Sequence, residues 1–119
     1  MRDMHDATWQ AIDAPDDGAA TTFTLLVGGE NTEGFVVRHQ SRLHAYLNRC
    51  PHTGSPLDWV PGRFFSDNGE TLVCHTHGAL FAADNGSCLS GPCPHGLTPL
   101  PLHEQNGTVF VPCALDTPE

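Results

Sequence analysis

Phe35-Val36-Val37-Arg38-His39-Gln40-Ser41-Arg42-Leu43-His44-Ala45-Tyr46-Leu47-Asn48-Arg49-Cys50-Pro51-His52 is the stretch that orders the rest of the chain. Within it, Phe35-Val36-Val37-Arg38 and Leu43-His44-Ala45-Tyr46-Leu47 are rich enough in β-branched, aromatic and apolar residues to read as two strands. They predict a hairpin closed around Gln40-Ser41. Its second arm runs straight into Cys50-Pro51-His52. In an extended segment residues i and i+2 share a face, so Cys50 and His52 can point the same way. After 21 intervening residues a second run, Cys74-His75-Thr76-His77-Gly78, brings another cysteine and histidine at C-x-x-H spacing. One thiolate and one imidazole from each run make a four-donor set: Cys50, His52, Cys74 and His77.

Outward from this stretch the pattern stays β. Phe23-Thr24-Leu25-Leu26-Val27 and Thr108-Val109-Phe110-Val111 carry the short-period apolar pattern of strands, and ten Pro and twelve Gly break any long helical period. Asn-Gly occurs at 68–69, 85–86 and 106–107, and both residues tolerate the positive φ of a tight hairpin turn. A first strand is expected near residues 8–12, a loop over 13–20, a strand near 22–28 and a polar turn at Gly29-Glu30-Asn31-Thr32. Residues 97–111 return to strand. The 119 residues predict a single all-β domain, an antiparallel β sandwich in two sequence pieces. A ligand-bearing segment of about 48–96 is inserted between them, and an acidic N-terminal extension covers about 1–20.

Composition excludes several functions. The formal net charge is -9, with five Arg and no Lys, which leaves no basic footprint for nucleic acid. The charge serves solubility or steers the chain toward a basic redox partner. Five Asp fall within the first 17 residues. No apolar run approaches the length of a membrane span, and Met1-Arg2-Asp3-Met4-His5-Asp6 lacks a signal-peptide h-region, so cytoplasm is expected. Asn85-Gly86-Ser87 and Asn106-Gly107-Thr108 match a glycosylation sequon and are read as turns.

Two thiolates and two imidazoles suit either zinc or an iron–sulfur centre. Structural zinc sites usually pair like ligands locally, as C-x₂₋₄-C with H-x₃₋₅-H. Here each half mixes the two, so that each loop can give one ligand to each of two irons. That is the ligand set of a Rieske [2Fe–2S] centre, with two His in place of two Cys on one iron. Two ferric ions, two sulfides and two thiolates sum to zero charge. An electron enters this centre more readily than an all-cysteine one, which raises the potential to roughly −150 to +300 mV.

At these residues the chain resembles the Rieske family, and in particular its small soluble ferredoxins, over about residues 35–112. The resemblance rests on Cys50-Pro51-His52-Thr53-Gly54, on Cys74-His75-Thr76-His77-Gly78, and on Gly91-Pro92-Cys93-Pro94, which matches the family's proline-rich third loop. It implies one [2Fe–2S] cluster per chain. Cys50 and Cys74 would hold the inner iron, and His52 and His77 the outer one. It implies a one-electron carrier, not an enzyme, passing electrons from a reductase to an oxygenase or other oxidoreductase. A fixed small Rieske subunit of a reductase such as nitrite reductase is the alternative, and a zinc-stabilised binding module is a third.

Three departures from the family pattern matter. Ser55 and Thr76 stand where cytochrome bc-type members carry a loop-linking disulfide. Ala79 and Phe81 stand where those members place a Ser and a Tyr that donate to sulfur, which implies a potential at the low end of the range. The gap between the loops is a few residues longer than usual, around Leu57-Asp58-Trp59-Val60-Pro61-Gly62-Arg63. A stand-alone oxygenase would also need a mononuclear iron site, for which this chain has no room.

Other residues read more plainly. His75 lies out of register for ligation. Cys88 and Cys93 are five apart and could form a small disulfide in the proline loop, although free thiols are the default in a cytosolic protein. Cys113 is an inert thiol. His95 is surface or docking rim. His5, His39, His44 and His103 belong to no constellation. Trp9, Trp59 and Tyr46 are packing residues.

Overall fold

The computed structural model describes residues 9–50, 56–58, 63–66, 69–75, 78–91 and 95–115. Eleven strands, and no helix, form among them. They are β1 (Trp9–Asp13), β2 (Ala20–Val27), β3 (Glu30–His39), β4 (Arg42–Leu47), β5 (Thr71–Cys74), β6 (Ala79–Ala82), β7 (Cys88–Ser90), β8 (Pro99–Leu100), β9 (His103–Gln105), β10 (Thr108–Pro112) and β11 (Ala114–Leu115). Three sheets result, with strand orders β1-β10-β9, β11-β2-β3-β4-β8 and β5-β6-β7. The first two are the framework. The third lies within the inserted segment. No helix here is long and apolar enough to cross a membrane.

The β3–β4 hairpin is the hinge between framework and insert, because it is buried on both faces. Val36, Ala45 and Leu47 pack with Phe23, Leu25, Val27, Leu100, Val109 and Val111 in the framework core. Their neighbours Phe35, Val37 and Tyr46 point the other way, as the period of two requires. They join Leu57, Phe64, Leu72, Phe81 and Leu97 in a second core under the insert. Phe35 stacks on Phe64 with ring centroids 4.0 Å apart and planes 9° from parallel. This double burial explains why Phe35-Val36-Val37 reads as a continuous apolar run.

The hairpin turns at Gln40-Ser41, as its sequence predicts, with φ of 52° and 69° at two residues that are not glycine. Outside contacts hold this turn. The Ser41 amide donates to Asp17 Oδ1 at 3.0 Å, and Arg38 Nη1 donates to the Ser41 carbonyl at 3.3 Å. Asn106-Gly107 closes β9–β10 with φ of 54° and 82°.

Several expectations are corrected. The turn after β2 is Gly28-Gly29, and Glu30, Asn31 and Thr32 already belong to β3. Asn85-Gly86 does not form a two-residue hairpin. It lies in the longer connection from β6 to β7, where the Gly86 amide donates to the Ala82 carbonyl at 2.8 Å. Gly has to stand at 86, because a Cβ would come within 2.8 Å of the Tyr46 ring. The acidic stretch at the start contributes β1, which pairs along its whole length with β10, and it contributes Ala20 to β2. The sandwich is antiparallel except at one edge, where β11 runs parallel to β2. Asn68 lies outside the described residues.

Candidate metal centre

Each ligand run sits at the end of a strand that is already paired. β4 delivers the first. Its last residues, Ala45-Tyr46-Leu47, are buried, and three residues further on Cys50 is 2% exposed. β5 and β6 deliver the second. Their last pair is Cys74 opposite Ala79, which sets Cys74 at the end of the β5–β6 ladder. The Gly78 amide donates to the Cys74 carbonyl at 2.8 Å, and Gly78 takes φ of +77°, which favours glycine at that position.

Cys50 and Cys74 therefore meet in one core, the one beneath the insert, together with Ala79 and Phe81. Neither is in a disulfide. Burial in apolar surroundings resists ionisation of a thiol, and a soft cation offsets that cost by binding the thiolate. Two buried cysteines brought together by separate strands thus fit the thiolate half of the donor set. His52 and His77 lie outside the described residues, as do Ser55 and Thr76.

The third loop begins against the second. Gly91 follows β7 with φ of +94°, and a Cβ there would lie 2.8 Å from the Cα of Ala79. A glycine is therefore needed for the backbone at 91 to approach Ala79, the residue paired with Cys74. Residues 92–94 lie outside the described residues. Cys88, in β7, is disulfide-bonded, which corrects the expectation of a free thiol. Cys50, Cys74 and Cys113 are not so bonded. Pairing follows from proximity in the fold, which compartment and composition do not determine.

His75 is engaged elsewhere. Its amide donates to the Leu57 carbonyl at 3.0 Å, and its Nδ1 lies 3.2 Å from the same oxygen. That supports its reading as a loop residue. His95 is exposed, with Nδ1 3.2 Å from the Gly96 carbonyl. His39 stacks on Phe65, and His103 stacks on Phe110 with Trp9 edge-on to it. His44 lies within β4 opposite Val37, where burial lowers its pKa against the opposing pull of Asp84, while His39 and Arg42 lower it further.

Of two further residues that matter here, the sequence reading took Tyr46 for packing alone and passed over Asn48. Tyr46 is not simple packing: its hydroxyl donates to the Ala83 carbonyl at 2.8 Å and ties β4 to the turn after β6. Burial, and next Asp84, push its pKa well above the ordinary phenol value. Asn48 is the other. A polar residue at the end of an apolar strand and just before a ligand run was the available signal.

The donor chemistry, the two buried cysteines on paired strands and the all-β framework with a small three-stranded insert define an iron–sulfur domain of the Rieske class. The family model for the Rieske [2Fe-2S] domain matches residues 8–112, and the chain belongs to that family. It is 32% identical over 101 residues to the ferredoxin component of the alkene monooxygenase system of Xanthobacter autotrophicus (strain ATCC BAA-1158 / Py2). That match covers 85% of this chain and 75% of that protein. The fold is also that of the ferredoxin of carbazole 1,9a-dioxygenase from Nocardioides aromaticivorans IC177. The TM-score is 0.63 at 19% identity, covering 87% of this chain and 97% of that one. The reduced complex between oxygenase and ferredoxin in carbazole 1,9a-dioxygenase matches with a TM-score of 0.64 at 21% identity. There the match covers 91% of this chain but spans only 29% of the matched chain's length. Family membership brings with it a Rieske-type [2Fe–2S] cluster.

Proposed function

We propose that this chain is a one-electron carrier, a Rieske ferredoxin that takes electrons from a reductase and delivers them to an oxygenase, with the cluster held by Cys50, His52, Cys74 and His77. The observation that carries the site is the convergence of Cys50 and Cys74 in one buried core from two separate strands. The similarity to the alkene monooxygenase ferredoxin component supports the kind of partners. The bound cluster supplies one reversible electron per chain, at a potential in the range of roughly −150 to +300 mV.

The chain's own residues do the rest. Cys50 and Cys74 would hold the cluster by their thiolates, and Leu57, Leu72 and Phe81, each 0% exposed in the same core, would keep water from that side. His52 and His77 would hold the outer iron and offer the edge through which the electron leaves. Ala79 and Phe81 are both fully buried and bring no hydroxyl. That supports a potential in the lower part of the Rieske range, since donors to sulfur stabilise the more negative reduced state. The carrier is a component of an oxidoreductase system and not its catalyst.

A mobile carrier fits better than a fixed subunit. Among the described residues the large exposed apolar side chains are Leu26 in β2 and Leu89 in β7, so no one sheet of the described structure presents two of them. On this reading the carrier works in the cytoplasm, which cell fractionation tests. Coulometric titration of the purified protein tests the function. Uptake of one electron per chain, reversible over repeated cycles, is expected. No uptake, or irreversible uptake, overturns it.

A further inference from the structure

Asn48 is the buried polar side chain among the described residues, at 5% exposure, and it lies two residues before Cys50. Its backbone amide and both ends of its carboxamide are hydrogen-bonded. Its amide donates to the Glu33 carbonyl at 2.8 Å. Its Nδ2 donates to Glu33 Oε1 at 2.6 Å and to Asp58 Oδ1 at 2.9 Å. Its Oδ1 accepts from the Leu57 amide at 2.8 Å. These partners fix the orientation of the carboxamide, since carboxylates need a donor and an N–H needs an acceptor.

The connections continue beyond Asn48. Leu57, 0% exposed, offers its carbonyl to the His75 amide at 3.0 Å, and that amide directly follows Cys74. A continuous path thus runs from Glu33 in β3, through Asn48, to Leu57 behind the first ligand run, and on to His75 in the second. Both ligand runs are referred to one framework strand through one side chain.

We propose that Asn48 is a positioning residue for the metal centre: it fixes the spacing of the Cys50 and Cys74 loops and so sets how firmly the cluster is held. The proposal rests on the Rieske reading. The side chain is close to irreplaceable on physical grounds. Alanine leaves the buried Leu57 amide without its Asn48 acceptor and removes the Asn48 donor from Glu33 and Asp58. Aspartate sets a third carboxylate against Glu33 and Asp58. Neighbours that orient metal ligands typically alter metal retention by about 10- to 100-fold when removed.

The test uses the holoprotein and reads the anaerobic transfer of iron to a chelator, together with the EPR g-values of the reduced state. Asn48→Ala is expected to release iron about 10- to 100-fold faster than wild type, with shifted or broadened g-values. Glu33→Gln, which keeps an acceptor oxygen towards Asn48, should stay near wild type. Glu104→Gln, which alters a carboxylate paired only with Arg38 at 3.2 Å in the framework, should match wild type. If Asn48→Ala cannot be loaded, Glu33→Ala and Asp58→Ala each remove one acceptor and should release iron a few-fold faster. Wild-type release and unchanged g-values in Asn48→Ala overturn the proposal, even if its thermal midpoint falls. In the event that Asn48→Ala cannot be loaded, wild-type behaviour of both single-acceptor variants does the same. A wild-type protein without a cluster overturns the Rieske reading first, and this proposal with it.

Discussion

In the framework β2 and β3 run for eight and ten residues, while β5, β6 and β7 of the insert have four, four and three. The framework core is almost wholly aliphatic, from Leu25 to Val111, and its sheets pair along most of their length. The insert core is aromatic and mixed, with Phe35, Tyr46, Phe64 and Phe81 around two cysteines. Short strands supply few ladder bonds, so the insert must take its order from elsewhere. It does so from Phe35 and Tyr46 of the hinge hairpin, from the Asn48 path and from the metal centre. Long strands make a frame that stands alone, and the ligand loops depend on that frame and on what they bind.

Removing iron with a chelator should separate the two regions most sharply. Amides of residues 69–91 should then exchange with solvent at least about a hundredfold faster, while those of β2, β3 and β10 change little. Equal acceleration in both regions would erase the distinction. Gly91→Ala should come next, at about 3 kcal/mol in a urea titration. A positive φ and a 2.8 Å approach to the Ala79 backbone both oppose the added methyl. The loss should appear as early cluster release, ahead of framework unfolding.

Tyr46→Phe should cost about 1–2 kcal/mol, since the buried Ala83 carbonyl loses its donor. It should also change the alkaline limb. The folded state holds the Tyr46 proton to a higher pH than the unfolded chain does, so wild-type stability falls as pH rises past about 10. The phenylalanine variant should lack that contribution. Phe81→Tyr tests the proposal that the missing hydroxyl keeps the potential low. A hydroxyl reaching sulfur should raise the midpoint by about 50 mV, and a fall would contradict the assigned cause.

The smallest effect belongs to His44→Gln. Burial holds the His44 pKa below its ordinary value, so its contribution to stability is present above about 6.5 and is lost as pH falls below that. The variant should flatten the stability profile between about pH 7 and 5 without touching the cluster.

Much of the framework was legible because apolar alternation and turn chemistry act locally. The hairpin at Gln40-Ser41, the turn at Asn106-Gly107 and the strand leading into Cys50 follow from neighbours in sequence. Thiolate and imidazole spacing likewise made the donor set readable. The rest depends on contacts distant in sequence. Asn48 meets Glu33 and Asp58, Tyr46 reaches Ala83, and Gly91 touches Ala79, and no local period encodes any of these. The parallel seat of β11 on β2 and the pairing of β1 with β10 are likewise set by where the chain ends up.

EPR of the purified protein before and after dithionite, with iron and zinc measured on the same sample, tests the central claim most directly. The account predicts a Rieske-type signal that appears only on reduction, with two irons per chain and no zinc. A colourless, EPR-silent protein holding one zinc per chain would contradict it.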